Sequence, residues 1–526
     1  MNQRFVPSVA ADGDAPAIQD YPYLSPDATG TLGGKQVLTL AGAIDNLNRT
    51  GDIWKVGPNG QITYTFLDKD PTGLYNSPKY ADIVGDYTAG FSAFTAEQRA
   101  AARDSLQLWD DLIAPHFVEK NGAGAADISF MNTSTGPAQA AAYTPFYEGT
   151  HGKDQRIQGD VYVNQEQPDN FDLYYGGYGQ TAITHEIGHA IGLSHTGDYN
   201  YSDDNNGDGI PDPITYANDA AYFQDSYQYS IMSYFGSNNT GARGYVNWAT
   251  GGYYQTPQTP MIHDIATVQA MYGADLTTRT GDTTYGFNNN SGRDVFDFTK
   301  NVNPFLSIYD AGGHDTLDLS GFTGGSAVLD LRDGAFSTGY NYGSAAQLNG
   351  VWGTNFTQAQ WNSIYDGKTS NPGFLTENIG IAYGTIIEDG KTGVGNDSLL
   401  GNAVDNKLDA GAGNDTLNGG AGNDTLTGGT GADKFVFANT GGTDKITDFV
   451  SGTDKIDLSK FDPSAAAGDQ AMTFIGNGAF THTAGEVHAY DAGGISYLAG
   501  DLDGDGVADF TIHLGTAHAV AADILL

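Results

Sequence analysis

Three histidines and one glutamate lie close together in the segment TAITHEIGHAIGLSH, residues 181 to 195. On a helix, residues four positions apart share a face, so His185 and His189 can point at one ion with Glu186 beside them. Neutral imidazoles at this spacing bind zinc, and the glutamate then acts as general base toward a water activated by the metal. The short pattern H-E-x-x-H arises by chance fairly often, so it needs support from its surroundings.

Gly192 supplies part of that support. If the helix continued to His195, six residues beyond His189, the third imidazole would lie nearly on the opposite face. Glycine permits a positive-φ turn that ends the helix and folds the chain back. His195 can then complete a three-histidine zinc site with a fourth position open, and H-E-x-x-H-x-x-G-x-x-H is the metzincin signature.

The whole chain is strongly acidic: its 526 residues carry 23 Lys and Arg against 63 Asp and Glu, a formal net charge of −40. Such a polyanion is repelled by nucleic acid and anionic lipid, which argues against these partners, and it needs cations to relieve its own repulsion. The absence of cysteine excludes a disulfide framework and a thiolate zinc site. No apolar run reaches about 18 residues, so no membrane span is expected. The first residues also lack the pattern of a cleaved signal peptide.

The elements that must position the histidines follow from apolar periodicity. Thr95 and Gln98 have capping-box spacing at the start of one predicted helix. Strands and helices alternate up to the histidines, which predicts a mixed α/β domain with folded structure beginning near Trp54. The predicted strands are residues 61–68, 126–132 and 160–165, and the predicted helices are residues 95–117 and 260–273.

Five consecutive nine-residue units begin at residue 392: TGVGNDSLL, GNAVDNKLD, AGAGNDTLN, GGAGNDTLT and GGTGADKFV. Such units build a parallel β-roll, in which six residues form a turn and three form a strand that buries its apolar side chain. A flexible linker has no reason to place an apolar residue at every ninth position. The apolar eighth positions are Leu399, Leu408, Leu417, Leu426 and Phe435, and the sixth positions are Asp397, Asn406, Asp415, Asp424 and Asp433.

Oxygen atoms dominate the turns of this array and favour calcium, a hard cation that takes about six to eight oxygen ligands. Glycines allow positive φ and leave carbonyl oxygens free, while the sixth positions add carboxylates. Stacked aspartates repel one another without the ion, so folding of this part should be coupled to calcium binding. Besides the sixth positions, the candidate ligands are Gly393, Gly395, Gly411, Gly413, Gly420, Gly422, Gly429 and Gly431.

Two further acidic loops resemble the front of an EF-hand loop. Neither has a glutamate at the twelfth position, so a full EF-hand is not supported, and calcium binding and a plain acidic turn stay open for both. The first, DDNNGDGIPD, contains Asp204, Asn206, Asp208 and Asp212, and the second, DLDGDGVAD, contains Asp501, Asp503, Asp505 and Asp509.

A methionine turn completes the pattern, because SIMSYF places Met232 37 residues after His195. Together with the histidines and the nonapeptide array, it makes the chain resemble the serralysins, secreted bacterial zinc endopeptidases with a metzincin domain and a calcium-loaded β-roll. The likeness extends from about residue 50 to the C-terminus. It departs at Thr196, where serralysins usually have proline, and at the apparently inserted DDNNGDGIPD.

The resemblance implies one catalytic Zn²⁺ bound by His185, His189 and His195, with Glu186 as general base. It further implies that Tyr234 lies near the zinc and stabilises the transition state, and that Met232 forms the floor of the site. Several structural Ca²⁺ ions are also implied, and RTGDT, DAGGHD and TIIEDG resemble further calcium segments of the family. These segments contribute Arg279, Gly281 and Thr283 through carbonyls, together with Asp310, Gly312, Gly313, Asp315 and Glu388.

The expected protein is therefore a multidomain α+β chain. Residues 1–45 form a leader or propeptide with an N-terminal extension, 46–275 a metzincin-type catalytic domain, and 276–526 a β-roll or β-sandwich calcium-binding domain. By the same resemblance the chain is expected to be a monomer that acts outside the cell. A type I secretion apparatus that recognises a C-terminal signal at ADILL is expected to export it. Its substrates are proteins or peptides, lying extended along an edge strand for which AQAAAYTPF, residues 138–146, is the candidate.

Two alternatives stay open. One is a calcium-stabilised adhesin or surface protein with an inactive protease-like domain, although intact Glu186 and Tyr234 argue against such decay. The other is an astacin-like or matrixin-like metzincin, which the nonapeptide array and the absence of a cysteine switch disfavour.

Overall fold

The computed structural model divides the chain into two compact units. The first comprises residues 1–278, 304–311 and 375–383, and the second comprises the remainder. The first long segment of the first unit thus ends at residue 278, and two later segments return to this unit. The residues that the structure describes are 23–57, 60–70, 90–121, 126–135, 137, 139–146, 157–199, 213–247, 253–254, 256–322, 326–339, 357, 375–438, 442–461 and 471–526.

The first unit begins earlier than the sequence suggested. Strands β1 (Gly30–Leu32) and β2 (Lys35–Val37) form an antiparallel hairpin, and helix α1 (Leu40–Leu47) follows with Thr39 as its N-cap. Ala43 and Leu47 are fully buried. The expectation that folded structure begins near Trp54 was therefore wrong, because α1 presents an apolar face to the core.

A five-stranded sheet lies in this unit, in the order β4-β3-β5-β7-β6. Strand β3 is parallel to β4 and β5, β5 is parallel to β7, and β6 is antiparallel to β7 at one edge. The three strands predicted from the sequence are confirmed as β3, β5 and β7. The bounds are β3 Gln61–Phe66, β4 His116–Glu119, β5 Ile128–Thr133, β6 Ala140–Ala142 and β7 Asp160–Asn164.

Helix α2 (Ala96–Asp110) starts at the predicted capping box, with Gln98 N donating to Thr95 Oγ1 at 3.2 Å and Thr95 N donating to Gln98 Oε1 at 3.0 Å. It ends before the predicted residue 117, because His116–Glu119 pairs with β3. The other helices in the described residues are α3 Tyr178–Ala190, α4 Tyr216–Asp219 and α5 Ile262–Tyr272. Short 3₁₀ turns occupy Pro168–Phe171, Ser237–Thr240, Asp294–Phe296 and Ala521–Asp523.

The core of the first unit joins α3 to α2 and to the sheet. Trp109 of α2 is fully buried and its Nε1 donates to the carbonyl of Thr184 at 3.0 Å, so α3 is fixed against α2 by a polar contact as well as by packing. Ile183 and Ile187 are fully buried in the same cluster. Short strands complete this unit at Arg243–Asn247, Tyr253–Tyr254, Leu306–Ile308, Leu375–Thr376 and Ile379–Ile381.

The second unit is built mainly from short parallel strands. Its ten-stranded sheet runs, in spatial order, Thr284–Gly286, Thr316–Asp318, Asp389–Lys391, Lys407–Asp409, Thr425–Thr427, Thr443–Ile446, Phe510–His513, Ile495–Asp501, Glu486–Ala492 and Thr473–Phe474. Its six-stranded sheet runs Val328–Asp330, Ser398–Leu400, Thr416–Asn418, Lys434–Val436, Lys455–Asp457 and Ile524–Leu525. A two-residue strand also lies at Phe336–Ser337.

Successive nonapeptides place their strands alternately in these two sheets. Each strand occupies the last three residues of its unit, as predicted, from Ser398–Leu400 to Lys434–Val436. The five apolar eighth positions are at most 1% exposed. A strand therefore pairs with the strand 18 positions further on, as Leu399 does with Leu417.

Residues near the C-terminus belong to this structure. Ile524–Leu525 pairs in parallel with Lys455–Asp457, and the buried Asp523 accepts from Ser451 Oγ at 2.6 Å and Gly452 N at 2.9 Å. Among the described helices, none has the length and apolar character needed to cross a membrane.

Candidate metal centre and active site

The three predicted histidine ligands come together. His185 and His189 lie one turn apart on α3, and one ring nitrogen from each, with one from His195, lie within 4.8 Å of one another. The Nε2 atoms of His189 and His195 are 3.0 Å apart. Side chains that converge so closely match the donor set of a single zinc ion.

Hydrogen bonds to the backbone orient two of these rings. His185 Nδ1 lies 2.8 Å from the carbonyl of Ile231, and His189 Nδ1 lies 2.7 Å from the carbonyl of Leu193. A carbonyl can only accept, so Nδ1 carries the proton in both rings and Nε2 is the metal-binding nitrogen.

The turn after α3 forms as predicted. The helix ends at Ala190 and Gly192 has φ +110°. A β-carbon at this position would collide with the carbonyl oxygen of Asp52. Gly192 is therefore required both for its conformation and for a close backbone approach, and this turn brings His195 back to the other two histidines.

Burial sets the electrostatics of the centre. It lowers the pKa of His185 to about 4 and that of His189 to about 3, and it holds the pKa of His195 well below its usual value. The neutral imidazole is the form that binds a metal. Burial also raises the pKa of Glu186 to about 8, and its Oε2 is buried without a hydrogen-bond partner. Neutral nitrogens beside an unpartnered carboxyl oxygen fit zinc and an attacking water.

The Met-turn packs under α3. Met232 is fully buried, and its sulfur lies 2.7 Å from where a β-carbon on Gly188 would stand. Asp264 on α5 holds the turn by accepting from Ser230 Oγ at 2.6 Å and from Ile231 N at 2.7 Å. Because the Ile231 carbonyl faces His185, the turn also orients a ligand.

Tyr234 follows Met232 and lies beside the histidines. Its ring centroid is 4.5 Å from that of His195 and 6.2 Å from that of His185. The side chain is half-buried. The tyrosine ring therefore lies next to the histidine cluster.

Thr196, which departs from the family pattern, has a structural role. Its hydroxyl bonds to Asp225 Oδ1 and lies 2.7 Å from the hydroxyl of Tyr199. Asp225 is fully buried and also accepts from Tyr199 and from Ser233 Oγ of the Met-turn, at 2.9 and 2.8 Å. Asp225 thus links the His195 loop to the Met-turn, a role that no local pattern in the sequence indicates.

Strand β6 is an edge strand, as expected of the substrate-binding segment. Ala140–Ala142 pairs with β7 on one side, and no other described strand pairs with it. The alternating backbone groups on its other side can accept an extended peptide.

The segments expected to bind further calcium also meet in the second unit. Thr283 N donates to Asp315 Oδ1 at 2.8 Å, and Asp315 N donates to Glu388 Oε2 at 2.7 Å. A β-carbon on Gly313 would lie 2.5 Å from the carbonyl oxygen of Gly281. Arg279 has φ +51° and Gly312 has φ +139°, while Asp310 is buried in the first unit.

The nonapeptide aspartates bond from one turn to the backbone of another. Asp415 Oδ1 accepts from Asp397 N at 2.7 Å, and Asp433 Oδ1 accepts from Asp415 N at 2.9 Å. The Oδ2 atoms of Asp397 and Asp415 are buried without hydrogen-bond partners. Buried carboxylate oxygens of this kind fit a bound cation, and calcium suits an all-oxygen donor set.

Asn406 differs from the aspartates at the other sixth positions. Its Nδ2 donates to the carbonyl of Glu388 at 2.8 Å, and its Oδ1 accepts from Asn402 N at 2.7 Å. Asp424 Oδ1 accepts from Asn406 N at 2.9 Å, so the register of the array is kept. At this turn, therefore, both the oxygen and the nitrogen of the side-chain amide are hydrogen-bonded to the protein backbone.

Two carboxylates that extend the array were missed by the sequence reasoning. Asp444 Oδ1 accepts from Asp424 N at 2.9 Å, 20 positions earlier, and Asp454 Oδ1 accepts from Asp433 N at 3.0 Å, 21 positions earlier. These spacings break the period of nine. The twice-repeated tetrapeptide TDKI, at residues 443–446 and 453–456, was the available signal.

The two EF-hand-like loops have different outcomes. Residues 204–212, with Asp204, Asn206, Asp208 and Asp212, lie outside the described part of the chain. In the second loop, carboxylate oxygens of Asp501, Asp503 and Asp509 lie within 4.8 Å of one another. Asp501 is held by Gly504 N at 2.7 Å and Gly506 N at 2.8 Å, so a plain acidic turn accounts for it as well as calcium does.

Comparison with known proteins agrees with both sets of motifs. The family model described as "Peptidase M10 serralysin C terminal" matches residues 274–344 and 350–526. Metallopeptidase AprA of Pseudomonas marginalis is 38% identical over 510 residues, covering 94% of this chain and 92% of the relative. Serralysin of Photorhabdus luminescens is 36% identical over 86% of this chain and 79% of its own length, and Serralysin G of Dickeya chrysanthemi is 34% identical over 82% and 80%. The chain therefore belongs to the serralysin family of zinc metalloendopeptidases.

Proposed function

We propose that this protein is a secreted endopeptidase that hydrolyses peptide bonds of extracellular proteins at a zinc ion held by His185, His189 and His195. The convergence of three neutral imidazoles on one point beside the unpartnered Glu186 Oε2 carries this proposal. Bound zinc would polarise the scissile carbonyl and lower the pKa of water at the site to about 7.

The chain's own residues would perform the remaining steps. Glu186 accepts the proton of the attacking water and then delivers it to the nitrogen of the leaving amine. Tyr234 donates a hydrogen bond to the oxygen that gains negative charge in the transition state. His185 and His189 keep their Nδ1 protons on backbone carbonyls, so their ring orientation is fixed throughout.

Substrate would bind as an extra strand on β6. An extended peptide pairs with the free edge of Ala140–Ala142, which orients the scissile bond toward the histidines. The small side chains of this strand leave room for substrate side chains.

The second unit would be a calcium-loaded β-roll that follows a metzincin-type catalytic domain. The unpartnered oxygens of Asp397 and Asp415, and the meeting of Gly281, Thr283, Asp315 and Glu388, support several structural calcium ions. We further propose export by a type I system as a monomer, with folding completed where calcium is millimolar. The strongly negative charge, which calcium would reduce, supports this order of events.

Hydrolysis of casein by wild type and Glu186→Gln, at equal zinc content and in millimolar calcium, tests the proposal. Loss of the general base should lower kcat by about 10²–10⁴-fold without loss of zinc. Glu166→Gln, which changes an exposed glutamate of the same unit, is the matched control and should retain wild-type activity. If the zinc-loaded wild type is inactive after removal of residues 1–22, the calcium-stabilised adhesin becomes the better account.

A further inference from the structure

Residues 35–49, here called the N-terminal clasp, bond to the loop that carries the third histidine. Leu47 O accepts from Ser194 N at 2.7 Å, and the side-chain amide of Asn46 donates to the carbonyl of Thr196. The guanidinium of Arg49 donates to the carbonyl of His195 and, at 3.0 Å, to that of Gly197. Each of the four residues from 194 to 197 therefore bonds to the clasp through its backbone.

These bonds matter because residues 194–197 belong to no helix or strand. His185 and His189 are placed by the hydrogen bonds of α3, whereas His195 lies beyond the turn at Gly192. Ser194 and Thr196 are buried, so their backbone groups need protein partners. The clasp provides the hydrogen-bond partners that water would provide if this loop were exposed.

The clasp also holds the chain ahead of the Met-turn. Lys35 Nζ donates to the carbonyl of Ala220 at 2.7 Å, and Phe223 N donates to the carbonyl of Gln36 at 2.8 Å. Leu38 and Gln224 bond reciprocally, at 3.1 and 2.8 Å. Gln224 directly precedes Asp225, which bonds to both Thr196 and Ser233. The clasp therefore contacts both ends of the segment between the third histidine and the Met-turn.

We infer that Arg49 and Asn46 are positioning residues for the third zinc ligand, and that the active enzyme keeps its chain from Lys35 onward. The inference rests on the proposed function, because it assumes zinc at the three histidines. It also limits where the N-terminal segment can be cleaved in the active enzyme. A cut after residue 45 would remove Lys35, Gln36 and Leu38 and would make Asn46 the first residue. A cut before Gly30 would leave the clasp whole.

Zinc release is the measurement that separates positioning from general stability. Zinc-loaded protein in millimolar calcium is mixed with an excess of a chromogenic chelator, and the rate of zinc transfer is followed by absorbance. Arg49→Ala and Asn46→Ala should release zinc about 10–100-fold faster than wild type, the range seen when groups that orient metal ligands are lost. Arg103→Ala is the matched control, since it removes an arginine whose 2.7 Å bond to Glu119 lies elsewhere in the same unit. It should release zinc within about twofold of wild type, as expected for an exposed pair.

Cobalt substitution gives a second readout that does not depend on activity. The visible d–d absorption of bound Co²⁺ reports ligand geometry, so it should change in Arg49→Ala and be largely restored in Arg49→Lys, which keeps a cationic donor. A wild-type release rate and cobalt spectrum in Arg49→Ala would overturn the positioning role. So would a lower melting temperature of the zinc-free protein without faster release.

Two truncated chains test the consequence for processing. A chain beginning at Gly30 should hold zinc as the full chain does, and one beginning at Asn46 should lose it at least about tenfold faster. Equal retention by both would contradict the inference. Failure of the proposed function looks different: wild type and His189→Ala would then hold equal amounts of zinc.

Discussion

The sulfur of Met232 lies 2.7 Å from the position that a β-carbon on Gly188 would occupy. Helix α3 and the Met-turn thus meet with no space for a side chain at residue 188. Trp109 Cζ2 lies 3.3 Å from the same point, so an added carbon would also crowd the indole ring.

We expect Gly188→Ala to destabilise the first unit by about 1–3 kcal/mol, the usual cost of forcing an extra methyl group into a packed core. The measurement is urea unfolding monitored by tryptophan fluorescence, together with zinc content. The double variant Gly188→Ala with Met232→Ala removes the sulfur and should be less destabilised than the sum of the single changes. Additive effects would show that the two residues do not compete for space.

Gly192→Ala should be more damaging, since a β-carbon there meets the backbone of Asp52 as well as a φ of +110°. We expect a loss of at least about 2 kcal/mol in unfolding free energy and a large fall in zinc occupancy, because the backbone must move to relieve the contact. Gly51→Ala is the control: φ is +67° there and nothing lies within 4 Å of the added carbon. It should cost only about 1 kcal/mol and retain zinc. Equal effects of the two substitutions would refute the close-approach argument.

Asp415→Asn tests the carboxylate array. The variant keeps an oxygen for Asp397 N but loses the negative charge on the buried Oδ2. The calcium concentration at the midpoint of folding, followed by circular dichroism, should rise several-fold because a charged ligand becomes a neutral one. Asp409→Asn removes the same charge from a strand residue and should leave the midpoint nearly unchanged. A shift of the same size in both variants would point to net charge alone.

Asp264 predicts a pH-dependent stability. Burial raises its pKa to about 7, above the ordinary value near 4, although two backbone amides and Ser230 donate to it. The folded state therefore binds the proton more tightly than the unfolded state. Stability from this group is fully present below about pH 4 and is lost as pH rises through 7.

The destabilisation caused by Asp264→Asn should accordingly shrink between pH 5 and pH 8, because the wild type loses stability in that interval and the uncharged variant does not. The free energy of unfolding of both proteins, with the same calcium and zinc at each pH, gives this difference. A cost that stays constant or grows with pH would show that the carboxyl group titrates normally in the folded protein.

The bounds of the nonapeptide strands could be predicted to the exact residue from the sequence. An apolar side chain and glycines recur there at fixed positions, so only one strand register is possible. The sequence also located the end of α3, since Gly192 and His195 satisfy metal geometry only after a turn. The end of α2 was placed too late because a strand competes for residues 116–119, and sheet pairing is not visible locally. Contacts such as Arg49 with His195, 146 positions apart, leave no periodic signal, and composition alone made the clasp resemble a leader.

The aspartate ladder of the second unit has a direction. Asp397 N needs the carboxylate of Asp415, Asp415 N needs that of Asp433, and Asp433 N needs that of Asp454. Asp454 is itself held by local contacts, since Val450 N donates to its Oδ2 at 2.8 Å and its own N donates to the carbonyl of Val450 at 2.9 Å. These sixth-position amides thus depend on later residues, but other bonds run the opposite way, because Asn414 N donates to Asn396 Oδ1 at 2.9 Å and Ala432 N donates to Asn414 Oδ1 at 2.8 Å. Each turn is therefore tied to the turns on both sides of it. Loss of a turn at either end of the array therefore leaves a neighbouring turn without a hydrogen-bond partner: without Asp454 the amide of Asp433 loses its acceptor, and without Asn396 the amide of Asn414 loses its acceptor.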